Sequence, residues 1–276
     1  MTYVILPVHN RKDITELFIK SLTKQLDKDF KLILIDDGST DGTSDMVHSY
    51  IPDCVVLRGQ GDLWWGGALH QGFLWIKENI TDGNVLLIND DTVISEDFLQ
   101  KGSDLLKHNE NTLFLAQAYD KNNNHVDSGV HVDWENLTFN QAKNENEINC
   151  LSTRGLFLKV SDFLDIGGFH PTILPHYLSD YEFTIRAYNK GYKLRIDKDL
   201  KLVFDTEATG SHKIIFENYF NYLKKFFSKK YPNNPVYFTS FLMLACPRKY
   251  VVKNILRIFF RGIVRLVIPN YSRASK

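Results

Sequence analysis

Leu32-Ile33-Leu34-Ile35-Asp36-Asp37-Gly38-Ser39-Thr40-Asp41-Gly42 and Val85-Leu86-Leu87-Ile88-Asn89-Asp90-Asp91 are two apolar runs that each stop abruptly in carboxylates. Runs of this length suit strands buried on both faces of a parallel sheet. In open α/β sheets ligands sit beyond the carboxyl ends of the strands, so both acidic ends should border one crevice. Adjacent carboxylates repel unless something positive joins them. A hard divalent cation meets that need, and Mg²⁺ typically takes one or two carboxylates together with substrate phosphates. The pattern points to a metal-dependent enzyme acting on a phosphorylated donor.

Outward from these two runs, strand and helix alternate. Thr2–Val8 reads as a first strand that turns at His9-Asn10-Arg11. Residues 12–27 place Ile14, Leu17, Phe18, Leu22 and Leu26 at helical spacing. Lys31–Ile35 is the second strand and Cys54–Leu57 the third. A helix running from after Gly61 to Ile76 carries Ala68, Leu69, Gly72, Phe73 and Ile76 on one face, and Val85–Ile88 is the fourth strand. Such alternation predicts a mostly parallel central sheet with right-handed crossovers, flanked by helices. After residue 117 the pattern changes to polar strands as far as Asn149, with an Asn-rich loop over 140–149. Strand character returns at Leu151–Val160, and helical spacing resumes from Asp180 to Asn189.

The chain has 276 residues, enough for one catalytic domain with an appendage. Cys54, Cys150 and Cys246 are odd in number and widely spaced, which excludes a disulfide frame and suits a reducing compartment. The chain enters its first strand at once, with no basic and apolar leader, so the expected location is cytoplasmic. A formal net charge of zero conceals a division. Residues 213–276 hold 13 Lys and Arg against one acid, Glu217, which leaves 20 basic and 32 acidic residues in the first 212. A basic tail of this kind expects an anionic partner. Within it Lys253, Arg257, Arg261 and Arg265 recur every fourth residue among Val, Ile, Leu and Phe. That excludes an ordinary membrane span and suits a helix lying on the inner face of the cytoplasmic membrane. Nucleic acid would not require so much Ile and Phe. The same helix could instead pack on the catalytic domain or on a second subunit.

Taken in order, Pro7-Val8-His9-Asn10-Arg11, Ile35-Asp36-Asp37-Gly38-Ser39-Thr40-Asp41, Asn89-Asp90-Asp91 and Ser179-Asp180-Tyr181-Glu182 resemble family 2 glycosyltransferases, inverting enzymes of the GT-A fold that use nucleotide-sugar donors. Gly61-Asp62-Leu63-Trp64-Trp65-Gly66-Gly67-Ala68 and Asp180–Ala187 look most like the rhamnosyltransferase-type branch. The resemblance covers residues 1–212, read as the catalytic domain, with 213–276 as a helical basic extension. It implies a dTDP- or UDP-sugar donor and a glycan or lipid-linked acceptor in cell-surface polysaccharide synthesis. A sugar-phosphate nucleotidyltransferase would open with a Gly-rich basic loop, which Pro7–Arg11 lacks. The other alternative is a non-catalytic, membrane-associated carbohydrate-binding protein, against which the full set of acids argues.

The resemblance also assigns roles. Pro7, Val8, His9, Arg11, Asp36 and Asp37 would hold the nucleoside, an ionised Asp accepting from a uracil or thymine imide. Turn capping is the competing role for Asp36 and Asp37, although a cap needs only one acid. Asn89-Asp90-Asp91 stands in the place of the family's acidic metal motif, with an amide where its first acid would be. Asp91 is then the ligand to Mg²⁺ or Mn²⁺, and Asp90 a partner of the ribose or of the ligand. His212 would be a third metal ligand or a structural histidine. Asp180 would be the base that takes the acceptor's proton, with Glu182 raising its pKa or orienting the acceptor. Both acids would equally suit a helix N-terminus. Gly61 and the helix start after it would approach phosphate, with Trp64 and Trp65 covering the base or a deoxy sugar face. Arg154 would meet the donor sugar or diphosphate, or else form a surface salt bridge.

Overall fold

The computed structural model describes residues 1–204 and 219–267, without the side chains of Arg265 and Leu266. β1 (Thr2–Val8), α1 (Lys12–Thr23), β2 (Phe30–Asp36), α2 (Thr43–Tyr50), β3 (Val55–Arg58), α3 (Trp64–Asn79) and β4 (Asn84–Leu87) form the alternating half. β5 (Thr92–Ile94), α4 (Phe98–Lys107), β6 (Thr112–Tyr119), β7 (His125–Asp127), β8 (Val130–Asp133) and β9 (Thr138–Gln141) follow. β10 (Leu156–Lys159), α5 (Val160–Ile166), α6 (Ser179–Asn189) and β11 (Lys193–Phe204) complete the body, and α7 (Tyr219–Phe226), α8 (Pro235–Ala245) and α9 (Arg248–Val267) form the extension.

The main sheet runs β3-β2-β1-β4-β10-β6-β11-β5, with β7 on the side of β6. Its first four strands are mutually parallel, β10 is antiparallel to both neighbours, and β11 is parallel to β6. This is the mostly parallel, helix-flanked sheet that the alternation predicts. Side chains alternate across it. Val4, Leu6, Leu32, Leu34 and Leu86 pack on one face against Phe18, Leu22, Val47 and Phe98, while Ile5, Ile33, Ile35, Val85 and Leu87 pack on the other against Leu69, Phe73 and Phe183. β1, β2 and β4 therefore read as continuous apolar runs, because both of their faces are covered.

Strand order reverses at β1, with β2 and β3 to one side and β4 to the other. The loops after β1, β2 and β4 consequently converge beyond one end of the sheet, where such folds place ligands. They are laced together: the Asn10 N–H donates to Ser39 Oγ (2.9 Å), and the Thr40 N–H donates to Asn10 Oδ1 (2.8 Å).

Three local expectations change. Helix α1 stops at Thr23, so Leu26 lies outside it, and both Leu17 and Leu26 are exposed because the helix buries Phe18, Ile19 and Leu22 instead. The strand expected over 151–160 pairs only from Leu156, since Gly155 turns the chain at φ +83° and releases Ser152–Arg154 from the sheet. Third, the row of cations on α9 is not uniformly exposed: Lys253 and Arg261 are exposed, whereas Arg257 between them is half-buried and donates to the Glu135 carbonyl (3.1 Å). The inner faces of α8 and α9 pack on the body: Phe241, Leu242, Ala245 and Ile258 share a cluster with Val132, Leu137, Leu174 and Ile185. Among the described residues no helix is long and apolar enough to cross a membrane.

Candidate functional site

A cavity of about 700 Å³ lies at the converging strand ends. Of the residues expected to act, Pro7, Val8, His9, Arg11, Asp37, Gly61, Trp64, Trp65, Asp90, Asp91, Arg154 and Asp180 all line it. Asp36 and Glu182 do not, and His212 lies outside the described residues.

Asp36 is turned away from the cavity. Its Oδ1 accepts from the Ser39 N–H (2.7 Å) and its Oδ2 from the Ser44 hydroxyl, and it is buried. It holds the β2–α2 turn, the capping role that the sequence left open.

Asp37 binds the next loop. Its Oδ1 accepts from the Gly61 N–H (2.8 Å), and its Oδ2 accepts from the N–H groups of Leu63 (3.0 Å) and Trp64 (3.2 Å). The start of α3 was expected to offer these N–H groups to phosphate, but the carboxylate already takes them, drawn by the positive end of the helix. The Gly66 N–H is likewise taken, by the Pro175 carbonyl (2.9 Å). A carboxylate offers about four lone-pair sites, so Asp37 keeps one, on Oδ1.

Arg11 answers the question of charge at the end of β4. Its guanidinium reaches Asp90 Oδ1 (2.9 Å) and Asp91 Oδ2 (3.1 Å), so this cation, and not only a metal, relieves the repulsion between the two acids. Asp90 also accepts from the Thr15 hydroxyl (2.9 Å), and burial pushes its carboxyl up to about 6 despite Arg11. Asp91 Oδ1 is buried and has no hydrogen-bond partner. An orphaned buried carboxylate oxygen is costly unless something meets it. Among the described residues no group of three metal-ligating side chains exists, so any cation here would draw its remaining ligands from elsewhere.

Asp180 enters the cavity from the first turn of α6. Leu178 immediately before that helix adopts φ +68°, and Ser179 Oγ donates to the His176 carbonyl (2.7 Å). A leucine in the left-handed region is strained, as is Trp64 at φ +58° at the start of α3. The segments that hold them touch, since the Trp64 ring meets His176 and the Gly66 N–H donates to the Pro175 carbonyl. Asp180 faces the cavity, yet the protein and not bulk water sets its environment, and burial raises its carboxyl to about 6. The Tyr181 N–H (2.9 Å) and the Arg154 charge pull the other way. Glu182, two residues on, is buried and points elsewhere. It receives Arg186 Nε (2.9 Å) and Nη2 (3.0 Å), and the same guanidinium donates to the Ile166 and Gly168 carbonyls. Helical spacing rotates residue i+2 about 200° away from residue i, which separates the two acids.

Trp65 Nε1 donates to Thr153 Oγ1 (3.1 Å), while the Trp64 ring meets His176 (5.6 Å) and lies under Lys229 and Lys230. Arg154 lies 3.8 Å from the Phe204 ring, so an aromatic face, not a surface acid, holds it at the cavity. Sequence reading missed Thr15, His176, Tyr177 and Lys230. His176-Tyr177 stands just before the Asp180 motif, which was a usable signal. Thr15 and Lys230 carried none, since both reach the site only through packing.

The family profile described as Glycosyl transferase family 2 matches residues 3–162. No curated protein sequence matches the chain. Among solved structures, it is similar to S. aureus TarS, with a TM-score of 0.59 and 17% identity over 94% of this chain and 43% of that one. It is also similar to TarS 1-349 in complex with UDP-GlcNAc, with a TM-score of 0.62 and 16% identity, covering 94% of this chain and 72% of that one. A third is the mannosyltransferase PcManGT from Pyrobaculum calidifontis in complex with GDP-Man and Mn²⁺, with a TM-score of 0.59 and 15% identity over 97% and 87%. At these identities the likeness shows the fold. The chain spans less than half of that first TarS chain.

Proposed function

We propose that this chain, which belongs to glycosyl transferase family 2, is an inverting glycosyltransferase that moves a sugar from a nucleoside-diphosphate donor to a hydroxyl of a surface glycan or its lipid-linked precursor. One observation carries the reading. Asp37 and Asp91 from two loops and Asp180 from the first turn of α6 meet at a single cavity, each with different chemistry left open.

Asp37 has its free Oδ1 lone pair for the imide N–H of a uracil or thymine, and the loop it clamps sets the depth of that pocket. Asp91 Oδ1 suits a hard cation that needs only one protein carboxylate. Asp91 would then hold Mg²⁺ or Mn²⁺, with His212 as a further candidate ligand, and the bound ion supplies charge neutralisation for the departing diphosphate. Arg11 and Arg154, which both line the cavity, add fixed positive charge. Asp180 takes the proton of the acceptor hydroxyl as its oxygen attacks the anomeric carbon and the bond to the nucleoside diphosphate breaks. A carboxyl near 6 is mostly ionised at neutral pH, yet basic enough for that task.

The donor class is supported by the UDP-GlcNAc and GDP-Man bound to two structures of this fold. Rhamnose from dTDP or UDP is the specific sugar we propose, on the Trp64-Trp65 loop and the 180–187 segment. The test is a screen of nucleotide sugars by thermal shift with and without Mn²⁺, because a ligand that binds only the folded chain raises its melting temperature. The expected result is a metal-assisted shift with one dTDP- or UDP-sugar, followed by release of its nucleoside diphosphate when acceptor is added. If no nucleotide sugar shifts the protein and none is turned over, the assignment fails.

A further inference from the structure

We propose that the outer face of α9, with the adjoining end of α8, is a docking surface for an anionic lipid bilayer, held at a fixed orientation to the catalytic cavity. The argument starts from what the inner face does. Asn254 is fully buried and donates to the Trp134 carbonyl (2.7 Å), and Ile258 sits in the cluster shared with β8, β9, α6 and α8. The apolar inner residues of α9 are thus accounted for by the body. A second apolar face remains. Val252, Leu256, Phe259, Phe260, Ile263 and Val267 recur at steps of three and four and are all exposed, Phe259 and Phe260 by 61% and 63%. Met243 and Leu244, at the end of α8 that leads into α9, are exposed as well. Two neighbouring exposed phenylalanines on a helix have no structural use to the body, and a contiguous apolar patch of this kind marks an interaction site.

Charge chooses the occupant. Lys249, Lys253 and Arg261 are exposed on the same helix, and residues 218–276 contain no acid at all. A second copy docking through this face in a two-fold arrangement would bring like charges together, because an isologous interface opposes the same patch to itself. A bilayer of anionic lipid offers what the face lacks. Phenylalanine and aliphatic side chains enter the boundary of the acyl chains, while the cations meet headgroup phosphates. Because α9 lies flat on the body and none of the described helices is able to span a bilayer, the contact is one of lying on the surface. This inference does not depend on the assignment of the cavity.

The experiment uses the full chain and flotation with vesicles of pure phosphatidylcholine, or of phosphatidylcholine carrying about one third phosphatidylglycerol. The parent protein should float with the anionic vesicles at low salt and should remain behind with the neutral ones. Phe259→Ser with Phe260→Ser should abolish flotation while leaving circular dichroism, melting temperature and donor turnover unchanged, since both side chains are exposed. Lys249→Gln and Lys253→Gln should each weaken partitioning about fivefold and reduce its salt dependence. Failure of the parent to float at low salt overturns the proposal. So does flotation that survives the double Phe variant, or a parent dimer in sedimentation that the same variant dissociates.

Discussion

Replacing Asp180 by Asn should harm catalysis and help folding, and the size of both effects follows from its surroundings. Burial raises the Asp180 carboxyl from an ordinary 3.8 to about 6. At ~1.4 kcal/mol per pH unit, keeping this group ionised at neutral pH costs the folded state at most ~3 kcal/mol. Cavity water screens part of that, so a gain of about 1–2 kcal/mol for Asp180→Asn is expected. The sign can be checked from proton counts. Below pH 3.8 the carboxyl is protonated in both states and contributes nothing. Between 3.8 and 6 the unfolded chain has lost the proton that the folded chain retains, so stability falls as pH rises, and above 6 the penalty is complete. The advantage of Asp180→Asn over the parent should therefore be absent near pH 3.5, grow from 4 to 6, and level off beyond. Denaturant titrations of both proteins at these pH values, without donor or metal, measure it. In the parent kcat should fall about tenfold per pH unit below 6, and in the variant kcat should fall by about 10²-fold or more with little change in donor affinity. A variant that retains kcat, or a stability difference that does not change between pH 4 and 6, would refute the assignment of both role and environment.

Further outcomes follow from the same geometry. Asp91→Ala removes the orphaned oxygen and should abolish turnover and Mn²⁺-dependent donor binding while sparing the melting temperature; full activity in the variant, or of the parent in EDTA, would exclude a metal at this position. Glu182→Gln should lower stability by about 2 kcal/mol, because it replaces the buried carboxylate that pairs with half-buried Arg186 by a neutral amide, yet kcat in the surviving folded fraction should stay near that of the parent; a well-folded variant with lost kcat would make Glu182 the base. Gly66→Ala places a Cβ 2.5 Å from the Leu174 carbonyl, which should push α3 off the 174–175 segment and raise donor KM more than it changes kcat, as read by steady-state kinetics with the melting temperature as control.

The fold was legible because strands buried on both faces announce themselves as unbroken apolar runs, and β1, β2 and the segment ending at Asn89-Asp90-Asp91 do so. The loops that hold the acids were legible for a related reason, since carboxylates directly after such runs have nowhere to lie but the strand ends. What each acid does there was not. Asp36 and Asp37 are neighbours in sequence, but the alternation of a strand end sends one into a turn and the other onto the start of α3. Asp180 and Glu182 looked like a pair, and helical rotation parted them. Arg11 stands 79 and 80 positions before the two carboxylates it bridges. Lys230 reaches the cavity from an extension that composition alone had set apart.

Residue types and their periodicity determined the mostly parallel sheet, its flanking helices and the end at which charge collects, because hydrophobic burial is a local property of each element. Which carboxylate keeps an open lone pair, which is consumed by a neighbour's N–H, and which face of α9 stays uncovered were decided only by tertiary structure. Hydrogen bonds and desolvation depend on atoms brought within a few ångströms by parts of the chain that are distant in sequence.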